Sequence, residues 1–177
     1  MSYYLSLFKA LDAAGVRYVV VGGLATVLHG YARFTADVDL VIDLQKSEAE
    51  KAVRALVDLG LKPRLPVDPI QFADPVVREV WRIEKNMEVF SFFDPLNPVV
   101  TVDLFVYEPV PFHELVLRAK RMDIGGIRVP VCSIDDLIGL KMKAARPRDL
   151  DDIEHLREIQ RIQEQGGQGE SEGTENS

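Results

Sequence analysis

A single cysteine, Cys132, leaves the chain no internal disulfide, so its stability has to come from packing rather than cross-links. Histidine is scarce as well: His29, His113 and His155 stand far apart, without the close spacing of a zinc site. Long apolar runs are missing too. The longest, around Tyr18 to Val27, is broken by glycines and too short to span a bilayer, and the N-terminus lacks the basic and apolar segments of an export signal. These absences point to a protein of a reducing cytoplasm without a membrane partner. Positive charge is in deficit, with 21 Lys and Arg against 28 Asp and Glu, which argues against a whole-surface grip on nucleic acid. Any RNA contact is then confined to a local basic patch.

What remains is a chain of 177 residues, 47% apolar and 28% charged, with enough material for one real core. Residues 1–163 read as a single domain. The tail 164–177, "EQGGQGESEGTENS", has no apolar side chains to bury and is expected to be disordered. No internal repeat is visible, and helical and strand patterns alternate as in mixed α/β (α+β) domains.

A first amphipathic helix ends at Gly15, a short strand covers Tyr18 to Val21, and Gly22-Gly23 turn the chain into a second helical stretch. "DVDLVID" is the next strand. Glu48 to Leu59 is a helix, "KPRLPVDP" a loop or sheet edge because each proline removes a ladder donor, and "DPVVREVWRIEKN" a further helix. "MEVFSFF" and "VVTVDLFVY" flank the turn "DPLNP" as an antiparallel pair. "FHELVLRAKRM" reads as helical and "MDIGGIRVPV" as a hairpin around Gly125-Gly126. Ser133, with Asp136 three residues on, caps the following helix. A last helix spans about Pro147 to Gln163.

Two carboxylates inside an apolar strand need an explanation. Alternate side chains of a strand share a face, so Asp37 and Asp39 project together roughly 6 to 7 Å apart. Such a pair repels unless each acid is solvated or a cation lies between them, and Mg²⁺ favours one or two carboxylates plus phosphate oxygens. A bare D-x-D among 28 acids is more often a solvent-facing strand edge. Asp103, however, lies between Val102 and Leu104 in a second apolar strand. If the two strands are neighbours, three carboxylates converge, as a two-metal site for in-line phosphoryl or nucleotidyl transfer requires.

Gly22 and Gly23 offer unobstructed backbone N–H groups to a triphosphate, or else form only a tight turn; they are not a G-x-G-x-x-G dinucleotide fingerprint. Lys141 falls in the apolar stripe Ile134, Leu137, Ile138, Ala145, so it faces inward, either snorkelling along that edge or meeting a triphosphate or the acids. Arg33 and Thr35 precede the acids, with Arg33 open to a phosphate or a surface acid. His29 reads as a capping or partly buried histidine without a catalytic role. Arg146, Arg148, Asp149 and Asp152 suit a helix start and read as structural.

Together, Val21-Gly22-Gly23, Asp37-Val38-Asp39 and Val102-Asp103-Leu104 resemble the nucleotidyltransferase superfamily (DNA polymerase beta-like fold). With "LIGLKMKAARPRDLDDI", the chain is similar to the small stand-alone branch close to AbiEii-type toxin-antitoxin nucleotidyltransferases, from about Tyr18 to Leu156. The resemblance implies a mixed β-sheet packed against helices, with C-terminal helices. It implies two Mg²⁺ ions, or Mn²⁺ in their place, on Asp37, Asp39 and Asp103, with Asp103 also helping to activate an acceptor hydroxyl. Gly22 and Gly23 would contact the triphosphate, Lys141, Arg33 and Thr35 would serve nucleotide binding, and Arg148 to Asp152 would be the branch's closing motif. Many members carry Ser as the second residue of the glycine turn, whereas this chain has Gly23.

The implied activity is Mg²⁺-dependent transfer of NMP from an NTP to a hydroxyl of a tRNA or protein acceptor, in a system with a cognate partner protein. The alternative is a catalytically weak or inactive binding or antitoxin module on the same fold; retention of all three acids weighs against it. A phosphatase of the haloacid-dehalogenase type ranks lower, because its D-x-D closes a strand and Asp37 opens one.

Overall fold

The structure is a computed structural model that describes residues 2–169. Its strands are Tyr18–Val21 (β1), Asp37–Ile42 (β2), Lys62–Pro63 (β3), Val89–Asp94 (β4), Asn97–Phe105 (β5), Lys120–Ile124 (β6) and Ile127–Val131 (β7). The helices are Ser2–Ala13 (α1), Gly22–Leu28 (α2), Lys46–Asp58 (α3), Pro75–Lys85 (α4), Phe112–Arg118 (α5), Ile134–Ala144 (α6) and Pro147–Gly169 (α7). All seven strands join one mixed sheet in the order β3-β4-β5-β2-β1-β7-β6. Pairing is parallel for β2 with β5 and for β1 with β7, and antiparallel elsewhere. The expected α/β architecture is therefore present, with α6 and α7 as the C-terminal helices.

The centre of the sheet is the most apolar part of the chain. Every residue of β1 is buried, and Val38, Leu40, Val41 and Ile42 of β2 are buried with Val102 and Leu104 of β5. A parallel or central strand covered on both faces requires such near-continuous apolar runs. Phe72, Trp81, Phe90 and Phe92 form an aromatic cluster beyond β5, with Trp81 stacked on Phe90 at 5.0 Å between ring centroids. Helix α2 lies against β1 and β2, α6 against α2, and α7 against α6, so the C-terminal helices are brought back over the middle of the sheet. Among the described residues no helix is long and apolar enough to cross a membrane.

Two expectations are corrected. The segment Lys120 to Met122 belongs to strand β6 rather than to a helix continued from Phe112: Ala119 leaves the helical region at ψ 141, and the next five residues pair with β7. Helix α7 runs to Gly169, past Gln163, while residues 170–177 of the tail expected to be disordered lie outside the described residues. The Ser133 cap is as expected: its hydroxyl accepts from the Asp136 N–H at 3.1 Å. Ser133→Ala is expected to lower stability by about 1 kcal/mol, the usual effect of losing such a cap, seen as an earlier urea midpoint with an unchanged slope.

Candidate active site

Register decides where the acids meet. In the parallel pair β2/β5, Asp39 lies directly opposite Asp103 and Asp37 opposite Thr101, which puts all three carboxylates on one face of two adjacent strands. The antiparallel pair β1/β2 sets Val21 opposite Asp39, so the chain leaving β1 passes over that carboxylate. Gly22 makes this crossing at φ +63, and a Cβ there would fall 2.0 Å from Asp39 Oδ2. Both the left-handed backbone and the lack of room demand glycine. The next amide, Gly23 N–H, donates to Asp39 Oδ2 at 3.4 Å.

The cleft above these strands has a volume of about 330 Å³, and every residue expected to serve the site lines it: Gly22, Gly23, Arg33, Thr35, Asp37, Asp39, Asp103 and Lys141. One wall is acidic. Thr101 Oγ1 donates to Asp37 Oδ1 at 2.7 Å, and the buried Oδ1 of Asp103 has no hydrogen-bond partner. Burial, reinforced by the charge of Asp103 and then of Asp37, lifts the Asp39 carboxyl to about 6. Asp103 is raised as well, mainly by burial, with the Ser91 hydroxyl drawing it back and Asp37 pushing it up. Asp39 and Asp103 in this state are short of positive charge.

Cations line the same cleft. Arg33 comes from the loop between α2 and β2, Lys141 and Lys143 from α6, and Arg146 and Arg148 from the junction of α6 and α7. Two of them share one buried carboxylate. Asp152 is fully buried; its Oδ2 accepts from Lys141 Nζ at 2.5 Å and from Arg33 Nη2 at 2.9 Å, and Arg33 Nε lies in ion-pair reach of its Oδ1 at 2.8 Å. Asp149 lies 3.6 Å further along from Lys141 Nζ. Lys141 thus faces inward as its stripe position implies, but its direct partner is Asp152 rather than the strand acids.

Asp152, read from the sequence as a structural helix-start acid and by resemblance as part of a closing motif, lies past the first turn of α7 and is buried beneath two cations. A usable signal was present: Asp152 adjoins Ile153 and Leu156 on the buried stripe of α7, and an inward acid calls for an inward base such as Lys141. Arg146, Arg148, Lys143, Glu88 and Tyr107 also line the cleft without having been expected there as site residues. His29 is buried at the end of α2, as expected; burial holds it below its usual range, and its Nε2 lies 2.8 Å from the Cys132 carbonyl. The Cys132 thiol is pushed up to about 12 by burial and is inert.

Among the described residues no three His, Cys, Asp or Glu side chains stand close enough to make a finished cation cage. Asp37 instead accepts from Thr101 Oγ1 and Asp39 from the Gly23 N–H. A cation that takes only one or two carboxylates, and completes its shell with phosphate oxygens and water, fits such an open set.

A family model described as nucleotidyl transferase AbiEii toxin, type IV TA system, matches residues 6–166. The chain belongs to this family. It is accordingly a transferase of the nucleotidyl type, and solved structures agree on the fold. The antibiotic-resistance factor ANT(2'')-Ia matches with a TM-score of 0.56 at 13% identity, covering 97% of this chain and 96% of that one. A proposed nucleotidyltransferase from Thermotoga maritima gives 0.56 at 16% identity, over 91% and 92%. A nucleotidyltransferase-like antigen from Paracoccidioides brasiliensis gives 0.54 at 19%, over 86% and 73%. No curated protein matches at the level of sequence. For an AbiEii-family chain, the acid face of β2 and β5 beneath the glycine turn is the natural candidate for the reaction centre.

Proposed function

We propose that this AbiEii-family chain moves a nucleoside monophosphate from an NTP to an acceptor hydroxyl, on a tRNA end or a protein side chain, and releases pyrophosphate. The observation that carries the reading is the gathering in one cleft of three acids on one sheet face, Asp37, Asp39 and Asp103, with the cations Arg33, Lys141, Lys143, Arg146 and Arg148. The unpartnered Oδ1 of Asp103 and the raised Asp39 suit divalent cations, Mg²⁺ before Mn²⁺. Asp37, Asp39 and Asp103 would hold two such ions, which would supply polarisation of the α-phosphate and a more acidic attacking hydroxyl.

The chain's own residues supply the rest. Arg33, Lys141, Arg146 and Arg148, which line the same cleft, offset the charge of the triphosphate. Asp103, held above the ordinary carboxylate range, is suited to accept the proton of the acceptor hydroxyl. The Gly22-Gly23 crossing lets the phosphates approach the backbone where any side chain would stand in the way. A co-acting partner protein in a toxin-antitoxin pair fits the family description.

The test is label transfer. The chain is incubated with Mg²⁺, each NTP labelled on the α-phosphate, total tRNA and cell lysate, beside Asp37→Ala/Asp39→Ala. Label appearing in RNA or protein with the native chain and absent with the variant supports transfer. Equal labelling by both, or labelling of neither, moves the assignment to a binding module.

A further inference from the structure

The Gly23 position carries an inference that rests on the nucleotidyl-transfer reading. Unlike Gly22, Gly23 is not among the glycines with positive φ, so its backbone would accept any residue. What excludes a side chain is the neighbouring loop. A Cβ on residue 23 would meet Thr35 Oγ1 at 2.5 Å, Thr35 Cβ at 3.3 Å and Arg33 Nη2 at 3.0 Å. The hydroxyl of Thr35 therefore occupies the space into which a side chain on residue 23 would project. This hydroxyl has little to do inside the protein: its bond to the Asp37 carbonyl is long, at 3.4 Å. Its placement is nevertheless fixed, since Tyr4 donates to the Thr35 carbonyl at 3.1 Å and Arg33 is anchored on Asp152.

We infer that Thr35 supplies, from the loop before β2, a hydroxyl that binds a phosphate of the NTP beside the glycine turn, and that Gly23 is glycine to make room for it. A hydroxyl beside the guanidinium of Arg33, on the lip of the cleft, donates to a phosphate oxygen of the NTP. Thr35 is thus a substrate-binding residue, and Gly23 and Thr35 are a coupled pair: a hydroxyl from either position serves, but both side chains do not fit.

The coupling gives a test by exchange. Binding of each Mg²⁺·NTP is measured by calorimetry for the native chain, Thr35→Val, Thr35→Ser, Gly23→Ser and Gly23→Ser/Thr35→Ala, with thermal midpoints as folding controls. Thr35→Val keeps the volume and loses the donor; it is expected to weaken binding about tenfold or more, the usual worth of a hydrogen bond to a charged group. Thr35→Ser is expected to bind like the native chain. Gly23→Ser alone weakens binding through the collision with Thr35, and the double variant returns to within about threefold of native affinity, as coupled neighbours do. Native affinity in Thr35→Val, or a double variant no better than the worse single one, overturns the inference while leaving nucleotidyl transfer standing. A native chain that binds no NTP overturns both.

Discussion

Asp39→Asn is expected to make the metal-free protein more stable and the enzyme nearly inactive. The stability half follows from linkage. The unfolded chain releases this proton near 3.8, whereas in the folded chain burial and the charges of Asp103 and Asp37 hold it until about 6. Between those values the native state binds more protons than the unfolded one, so stability falls as pH rises from 3.8 to 6, and the whole penalty is present at pH 7. Asparagine cannot ionise and still offers an oxygen to the Gly23 N–H. Removal of the penalty is worth at most about 3 kcal/mol, and about 1 to 3 kcal/mol after relaxation. In urea titrations without divalent ions the variant should therefore unfold later than the native chain at pH 7, and the two should converge towards pH 4. Mg²⁺ should raise the native midpoint and leave the variant's nearly unmoved, because only the native acid set gains a ligand. Nucleotidyl transfer should fall about a thousandfold or more, since several kcal/mol of transition-state charge stabilisation depend on the cation site. An Asp39→Asn protein that is less stable than native at pH 7, and equally responsive to Mg²⁺, would contradict the picture of frustrated acids.

The acids were legible in the sequence because each broke a local pattern. Asp39 and Asp103 interrupt runs of buried valine and leucine, and nothing but function or a partner makes a carboxylate tolerable there. The strand pairing that sets them opposite one another was an assumption, and the register bears it out. Other features stayed hidden for physical reasons. Lys120, Arg121 and Met122 favour helices, yet the unpaired edge of β7 recruits them into β6, a tertiary gain that no local preference records. Asp152 stayed hidden because its partners, Lys141 and Arg33, are 11 and 119 residues away, and only the path of α7 back over the sheet brings them together. Thr35 was placed at the site, but the reason for Gly23 became visible only with the loop in three dimensions.

Asp152→Ala is expected to be the most damaging single substitution for folding, by about 3 to 5 kcal/mol. The carboxylate is fully buried and is the direct partner of two cations, Lys141 with 6% of its side chain exposed and Arg33 with 15%. Truncation leaves both positive charges in a poorly solvated place. Arg33, nearer the rim, can swing its guanidinium towards water at modest cost, whereas Lys141 has no such exit and accounts for most of the loss. The same reasoning gives a sign that distinguishes charge from volume. Lys141→Met/Asp152→Leu removes the pair and fills the space with apolar atoms, so it should be less destabilised than Asp152→Ala despite changing two residues. A urea double-mutant cycle on these variants reads the difference directly, and a loss below about 1 kcal/mol for Asp152→Ala would mean that water reaches the pair. The catalytic consequence runs through the same atoms. Arg33 and Lys141 line the cleft from separate elements, and a shared carboxylate behind them holds both heads in place before any phosphate arrives. Lys141→Met/Asp152→Leu should therefore fold and still bind NTP poorly, because it removes the Lys141 charge from the cleft and takes away the carboxylate that anchors Arg33.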